Sequence, residues 1–392
     1  MLIENSDMLR ELVADLRSRG SCALDTEFIR EKTYRPELCL IQLATPDDVF
    51  IVDPFLVGEL DGLLELMRDD SVEKIVHAGE QDMEIFFALN RELPRNVFDT
   101  QVAAALAGQG DSISYARLVD ELLGVQLEKV ETFTDWGKRP LTQRQVEYAL
   151  NDVRYLYPLK NELSKRLEEL GRLEWLSEEL QFFEERSLYE RDPEKLYRKM
   201  KGAAKLTPPK LVVLRELVAW REEEAERKNW PRGRVISDAA LIELARREPS
   251  TIDEVALVRT VHPQLVNRSG REIITRVARA RKVPASEHPP AIRKRSGDPE
   301  LALVVDLLEV VLRSRAANAQ IAPGYLGTRK ELLELARRHL HGDGDGEHSA
   351  ATRALPLLSG WRKRLAGDAL VALLQGRSRV AIDAATARVE EV

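Results

Sequence analysis

The spacing of the apolar residues changes along this chain and separates two kinds of architecture. Short runs of apolar, β-branched and aromatic residues, typical of strands, occupy 22–28, 38–44, 49–52 and 74–77. From 148 to 196 the apolar residues recur every three or four positions, as they do in an amphipathic helix. The blocks 210–282 and 299–376 contain helical spacing only. The sequence therefore predicts a mixed α/β region followed by two all-α blocks.

Proline-rich and glycine-rich segments separate these regions. Thr207-Pro208-Pro209 interrupts the helical pattern, because proline cannot continue a helix. The polar, proline-rich stretch 286–299 is predicted to be a linker. The segment 341–346, in which aspartate and glycine alternate, is predicted to be a flexible loop, since it lacks the closing glutamate of a calcium loop.

The charge is distributed unevenly over the 392 residues, a length that suggests two or three domains. Residues 1–200 carry 25 Lys+Arg and 41 Asp+Glu, whereas residues 201–392 carry 34 and 25. A basic region is typical of a phosphate-binding surface, although two solvated surfaces would give the same counts. An acidic region binds phosphate poorly unless its carboxylates hold cations, so the question is whether a metal site lies there.

The sequence also favours one compartment. We expect no signal peptide and no membrane span, because the N-terminus turns acidic at once and the most apolar later run, 301–311, contains two acids. The two cysteines, Cys22 and Cys39, lie in strand-like apolar runs and are interpreted as small buried side chains. Together these features predict a cytoplasmic protein.

The acidic pair Asp25 and Glu27 lies in the first strand-like run. Alternate residues of a strand point to the same side, so both carboxylates should share one face and could hold a hard cation together. An acidic pair on the polar side of a strand is common, but the preceding run of Cys22-Ala23-Leu24 indicates a core strand, where unpaired charges are costly. Something should therefore compensate these charges.

Two further sites carry acids that could join this pair. Asp82 lies near the start of a predicted helix after the strand at 74–77, where helix capping is the simpler explanation. Tyr148 and Asp152 lie four residues apart on one helical face, and a phenol beside a carboxylate can orient a water. If the second pair stood alone, a tyrosine at the edge of a core with a surface aspartate one turn away would be the commoner explanation.

Taken together, these acids and their surroundings resemble a known nuclease family. Two acids on a strand, one at a later helix start and one four residues after a tyrosine resemble the tyrosine branch of the DEDD exonuclease superfamily. The segments 23–28, 34–43, 77–79, 98–101, 135–141 and 148–152 are similar to ribonuclease D. The block at 210–282 resembles the helicase-and-RNase-D C-terminal (HRDC) domain through Trp220-Arg221-Glu222-Glu223 and the segment 230–238. The block at 299–376 resembles it more weakly.

The resemblance implies a fold and a division into domains. It predicts an RNase H-like α/β exonuclease domain, with a mixed sheet flanked by helices, over residues 1–204. Two all-α HRDC-type domains are predicted to follow, at 210–283 and 299–378.

The resemblance also implies an activity. The family hydrolyses RNA from the 3′ end, releases 5′-mononucleotides by a two-metal-ion mechanism and takes part in tRNA 3′ maturation. The expected cofactors are two divalent ions, Mg²⁺ or Mn²⁺, since carboxylate oxygens suit hard cations. By the resemblance, Asp25, Glu27, Asp82 and Asp152 are the metal ligands and Tyr148 orients the attacking water.

The predicted substrate contacts are less specific. Phe28 could stack on a base, and Gln42 and His77 could reach the terminal nucleotide, but core packing or structural hydrogen bonds explain each of them as well. Asp135, Trp136 and Arg139 match a family motif and are interpreted as structural. The basic side chains of the helical blocks suit RNA backbone contacts; they include Arg232, Arg234, Arg268, Arg271 and Lys282.

The expected partners are RNAs with 3′ extensions, tRNA precursors among them, with no membrane and no partner subunit. Two alternatives stay open at this stage. The same four acids could serve a DNA 3′-5′ exonuclease of the proofreading or Werner type. A nonenzymatic RNA-binding protein with a decayed nuclease fold is disfavoured, because all four acids and the tyrosine are present.

Overall fold

The computed structural model describes residues 1–127, 134–190, 192–292, 299–341, 355–383 and 389–391. The predicted flexible loop at 341–346 lies outside the described residues except for its first position, and so does the second half of the predicted linker at 286–299. The elements below refer to the described parts of the chain.

The N-terminal region is built on a six-stranded mixed sheet with the order β1-β4-β3-β2-β5-β6. β3 runs antiparallel to both of its neighbours, β2 and β4, whereas β1 with β4, β2 with β5 and β5 with β6 are parallel pairs. The four strand-like runs of the sequence are β2 to β5, and the short edge strands are additional. The strands are β1 (Leu2–Ile3), β2 (Ser21–Ile29), β3 (Glu37–Ala44), β4 (Val49–Val52), β5 (Glu73–Val76) and β6 (Val97–Asp99).

Helices cover both faces of this sheet, which confirms the predicted mixed α/β fold. They are α1 (Ser6–Arg19), α2 (Pro54–Val57), α3 (Asp61–Met67), α4 (Glu80–Asn90), α5 (Thr100–Leu106), α6 (Tyr115–Leu123), α7 (Gln143–Arg154), α8 (Leu156–Glu169), α9 (Leu173–Leu180) and α10 (Arg186–Tyr189). A 3₁₀ turn, Gln181–Glu184, links the last two.

The next helices form a separate packing unit. They are α11 (Pro193–Lys199), α12 (Pro208–Lys228), α13 (Arg232–Val235), α14 (Asp238–Arg247), α15 (Ile252–Ala256) and α16 (Pro263–Ala280). Tyr197 and Met200 are buried with α12 and α16 in the apolar core of this unit. The predicted boundary at residue 204 therefore falls inside the unit.

The C-terminal helices are packed differently. They are α17 (Pro299–Asn318), α18 (Pro323–Leu326), α19 (Arg329–His341), α20 (Gly360–Arg362) and α21 (Asp368–Leu374), followed by a hairpin of β7 (Val380–Ile382) and β8 (Val389–Glu391) that the sequence analysis did not predict. Leu308 and Trp361 are buried in the same apolar cluster as Leu156 and Leu163 of α8. The guanidinium of Arg172 also donates to the carbonyl oxygens of Leu106 and Ala319. The C-terminal helices thus share a core with the sheet domain.

The α11–α16 unit meets the sheet domain through polar contacts. The Tyr34 hydroxyl donates to Glu222 at 3.1 Å, and the backbone amides of Tyr34 and Arg35 donate to Asn229. Arg232 binds Glu222 and lies over the Tyr34 ring, 4.9 Å from its centroid. These contacts hold the loop that follows β2.

Candidate active site

The first two predicted ligands lie together on β2. Asp25 and Glu27 are two residues apart and point to the same face of the sheet. β5 pairs only with Ser21–Ala23, so β2 extends beyond its parallel neighbour where the acids begin. This leaves room beside the acids for side chains from the helices that follow.

A tight turn after β5 directs α4 towards this position. Asp99 accepts hydrogen bonds from the backbone amides of Ala78 and Gly79 and fixes the turn. A Cβ atom at Gly79 would lie 2.4 Å from a methyl carbon of Val76, so only glycine fits there. α4 begins at the next residue and carries Asp82 in its first turn.

The remaining two predicted residues come from α7. Thr142 and Gln145 form a capping box that fixes the start of this helix. Ala149 and Val153 are buried, and the helix packs across β2, β3 and β4. Tyr148 and Asp152 are therefore held over the sheet, with the Tyr148 ring supported by Trp136 at a centroid distance of 6.0 Å.

Three of the four predicted ligands converge in this structure. One carboxylate oxygen from each of Asp25, Glu27 and Asp152 lies within 4.8 Å of the others. Asp82 is buried nearby, but its Oδ1 accepts a hydrogen bond from the Thr26 hydroxyl and it does not join the trio. The role of Thr26 was missed by the sequence analysis, since a threonine between two acids carries no recognisable signal.

Desolvation raises the pKa values of these acids. Burial is the largest cause for each, and the neighbouring carboxylates add to it for Asp25 and Glu27. The pKa of Asp25 lies well above its ordinary range, and that of Glu27 rises to about 8. The pKa of Asp152 rises to about 7, against the opposing effect of the Tyr148 hydroxyl, and that of Asp82 rises to about 6.

The donor set fits a hard divalent cation. Three convergent carboxylates provide only oxygen ligands, which suit Mg²⁺ or Mn²⁺ and not softer metals. The raised pKa values show that charge is costly here in the protein alone, and a cation would relieve that cost. Burial also raises the pKa of Tyr148 above its ordinary value, so the phenol stays protonated at neutral pH.

The predicted substrate contacts divide into three cases. Phe28 is half-buried, with the Arg30 guanidinium 5.0 Å from its ring centroid, and its predicted stacking role stays a prediction. Both ring nitrogens of His77 already have protein partners, the Thr100 hydroxyl at 2.9 Å and the Ile113 carbonyl at 3.1 Å, so its predicted nucleotide contact also stays a prediction.

Gln42 requires a correction. Its side chain has no exposed surface, and it therefore presents nothing that an RNA could contact. The strand-like run 38–44 predicted correctly that Gln42 lies on a strand, but a strand pattern does not tell which polar residue lies under a helix.

The motif at 135–141 is structural in its contacts, as interpreted from the sequence. The Arg139 guanidinium forms an ion pair with Asp53 and donates to the carbonyl oxygens of Trp136 and Cys39. This places Trp136 where it supports Tyr148. The motif thus shapes the site without entering the carboxylate cluster.

Comparison with known proteins identifies the family. A family model for 3′-5′ exonucleases matches residues 1–168, and one for the HRDC domain matches residues 210–277. Ribonuclease D of Gluconacetobacter diazotrophicus is 38% identical over 385 residues, which cover 98% of this chain and 95% of that protein. The chain belongs to the ribonuclease D family. The recognition made from the sequence motifs is confirmed.

Solved structures agree with this assignment. The crystal structure of Escherichia coli RNase D matches with a TM-score of 0.84 and 30% identity, covering 96% of this chain and 98% of that one. The catalytic core of RRP6 from Trypanosoma brucei, at 23% identity, shares the fold with a TM-score of 0.55 over 71% of this chain and 79% of its own. As a ribonuclease D family member with this exonuclease domain, the chain is a 3′-5′ exoribonuclease.

The HRDC assignment is confirmed for the first helical block only, since the matching model ends at residue 277. The HRDC-like character of the block at 299–378 stays a prediction. None of the described helices combines the length and the apolar character needed to cross a bilayer.

Proposed function

We propose that Asp25, Glu27, Asp82 and Asp152 hold two divalent ions, Mg²⁺ or Mn²⁺, at which the enzyme hydrolyses RNA and releases 5′-mononucleotides. The observation that carries the proposal is the convergence of Asp25, Glu27 and Asp152 within 4.8 Å. Such ions stabilise the negative charge that develops on the scissile phosphate and on the attacking and leaving oxygens. Asp82 would join the set by exchanging its hydrogen bond with Thr26 for a ligand bond.

Tyr148 is proposed to orient the attacking water. Its hydroxyl lies within reach of Asp152, and its raised pKa keeps it protonated, so it can donate a hydrogen bond but cannot act as a general base at pH 7. The Tyr148 ring packs against the Trp136 ring. Its contribution is therefore to position a water and not to accept a proton.

Replacing Tyr148 by phenylalanine should lower kcat far more than it weakens RNA binding. The ring still packs on Trp136, and only the hydroxyl that positions the water is lost, which should cost about 10²-fold in rate. Single-turnover hydrolysis gives the rate, and fluorescence anisotropy with a labelled RNA gives the affinity. An equal loss in both, or a loss in affinity alone, would place Tyr148 in substrate binding.

The substrate class is proposed to be structured RNA with a 3′ extension, such as a tRNA precursor. The similar Escherichia coli RNase D is an exoribonuclease involved in structured RNA processing. In this chain the HRDC domain carries a basic aromatic patch, in which three cationic groups surround the Trp230 ring. Lys228, Arg234 and Arg268 lie 4.9, 4.3 and 5.1 Å from its centroid.

This basic aromatic patch suits an RNA backbone. Arg234 and Arg268 are exposed, and the cations concentrate positive charge beside a ring that can stack on a base. Arg232, which the sequence analysis grouped with them, is bound to Glu222 and Tyr34 and is engaged in domain contact instead. The proposed RNA surface is therefore smaller than the predicted one.

The double variant Arg234→Ala and Arg268→Ala should weaken tRNA-precursor binding and make it less dependent on salt. Losing two phosphate contacts should reduce the slope of log affinity against log salt by about 1–2. Filter binding between 50 and 200 mM salt, a range in which such slopes are measurable, provides the test. Arg246→Ala is the control, because that guanidinium is already paired with Glu243. An unchanged slope would remove the patch from the RNA surface.

To test the proposed RNA surface, point substitutions are preferable to a truncated chain that lacks residues 205–392. The C-terminal helices contribute Leu308 and Trp361 to a core shared with α8, so their removal would expose apolar surface of the nuclease domain. A loss of binding in the truncated chain would then mix misfolding with the loss of RNA contacts.

Digestion of an end-labelled tRNA precursor tests the proposed function as a whole. We expect stepwise shortening from the 3′ end with Mg²⁺ or Mn²⁺, release of 5′-mononucleotides and no reaction with EDTA. A matched DNA strand should be degraded more slowly, and faster DNA degradation would favour the DNA exonuclease alternative.

We also propose that the enzyme is monomeric and cytoplasmic. The two buried free cysteines are consistent with a reducing compartment.

A further inference from the structure

One polar side chain beside the cluster has no partner. Gln42 is fully buried, and within the described chain neither its amide nitrogen nor its amide oxygen makes a hydrogen bond. A buried amide without hydrogen-bond partners destabilises the folded protein, and an apolar side chain of similar size would avoid that cost. The position of Gln42 therefore calls for a functional explanation.

The strand register places this amide next to a proposed ligand. Gln42 on β3 pairs directly with Asp25 on β2, and paired residues of antiparallel strands point to the same face. Their Cβ atoms should lie about 4.5–5.5 Å apart. On its other side Gln42 pairs with Ile51 of β4, which is apolar. Asp25 is therefore the polar cross-strand neighbour of this amide.

The surroundings limit what the amide can bind. Leu40, two residues earlier on the same face, pairs with Glu27 and is fully buried with Ile51 and Ala149 in an apolar cluster under α7. Full burial rules out direct contact with RNA, as shown above. The group available to Gln42 is a carboxylate that already faces the cluster.

We propose that Gln42 is a positioning residue for metal binding: its Nε2 donates a hydrogen bond to the Asp25 carboxylate and orients that carboxylate towards the cation. The inference rests on the proposed metal site. An ionised carboxylate is a strong acceptor for an amide donor, and residues behind a ligand fix the direction of its oxygens. A hydrogen bond of this kind would also satisfy one half of the orphaned amide.

The test is Mn²⁺ affinity measured by calorimetry on the full chain, for wild type and for Gln42→Met. Methionine keeps the length of the side chain and removes both polar atoms. We expect a Kd for Mn²⁺ that is about 10–100-fold weaker, as for the loss of other groups that orient a ligand. The Tm of the metal-free protein should stay unchanged or rise, because an unsatisfied amide has been removed.

Leu40→Met is the matched control, because it introduces the same side chain on the same face of β3 and is a volume-conserving change. It should leave the Mn²⁺ affinity unchanged. An unaltered Mn²⁺ affinity in Gln42→Met would overturn the proposal. If the metal-free Tm fell at the same time, the result would indicate a purely structural role for Gln42. If Gln42→Met does not fold, Gln42→Leu is measured in its place under the same criteria.

A third variant, Asp25→Asn, separates a failure of this inference from a failure of the proposed function. Asp25→Asn should abolish the high-affinity Mn²⁺ binding of wild type. If wild type binds no Mn²⁺, or Asp25→Asn binds it as well, the metal site itself fails. If both behave as expected and Gln42→Met binds like wild type, only the role of Gln42 fails.

Discussion

Asp25→Asn is expected to abolish RNA hydrolysis and to leave the fold intact. Asp25 belongs to the cluster with Glu27 and Asp152. Asparagine keeps the shape of the side chain while removing its charge. Loss of a cation that stabilises transition-state charge removes several kcal/mol, which corresponds to a rate loss of about 10³-fold or more. Initial rates on end-labelled RNA with saturating Mg²⁺ measure the effect.

The fold of this variant is expected to be at least as stable as wild type in the absence of metal. Desolvation and the neighbouring Asp82, Asp152 and Glu27 raise the pKa of Asp25, so the substitution removes a group whose charged form is costly at this site. Circular dichroism melting in EDTA checks this. Glu80→Gln, an exposed acid in the first turn of α4, is the control and should change neither rate nor Tm. Hydrolysis by Asp25→Asn at a rate comparable to wild type would refute the site assignment.

The second large effect is a fall in the stability of the metal-free protein as the pH rises. The pKa values of Asp82, Asp152 and Glu27 are raised in the folded state to about 6, 7 and 8, whereas unfolded carboxyls have pKa values near 4. The folded state therefore binds protons that the unfolded chain has already released. This stabilisation is full below about pH 4 and is lost as the pH rises through about 6 to 8.

The expected loss is on the order of several kcal/mol, which corresponds to a fall in Tm of roughly 10 °C between pH 5.5 and 8.5 in EDTA. Mn²⁺ at 100 times its Kd should return about 2.7 kcal/mol of stability at the upper pH. Scanning calorimetry with and without the ion measures both effects. In Asp25→Asn the pH dependence should be weaker. A flat pH profile in wild type would contradict the desolvation of these acids on which the prediction rests.

Much of the nuclease fold could be predicted from the sequence because its central strands are buried. The runs at 22–28, 38–44, 49–52 and 74–77 are rich in apolar and β-branched residues, and each corresponds to a strand. β1 and β6, with two and three residues, are too short to give such a run. Edge strands of this kind owe their conformation to pairing with β4 and β5, which a local pattern does not show.

Part of the candidate site could also be predicted from the sequence. The spacing of Asp25 and Glu27 on a strand and of Tyr148 and Asp152 on a helix determines which side chains share a face, and the structure agrees with both pairs. Which elements meet is a tertiary property, and the family resemblance supplied it. Neither source revealed that Asp82 binds Thr26 in the protein alone.

Gln42 and Arg232 show the remaining limit. Both were selected as polar or basic groups that could contact RNA. Burial under α7 removes Gln42 from the surface, and pairing with Glu222 engages Arg232 in the contact with the loop after β2. Residue type indicates which chemistry is possible, whereas the register of β2 and β3 and the contact between domains decide which partner is present.

The central claim is that side chains distant in sequence converge to bind cations, and anomalous diffraction from a crystal soaked in Mn²⁺ tests it most directly. We expect two peaks about 4 Å apart, ligated by Asp25, Glu27, Asp82 and Asp152. Crystals that show no anomalous peak among these oxygens, or that bind Mn²⁺ only elsewhere on the surface, would contradict the account.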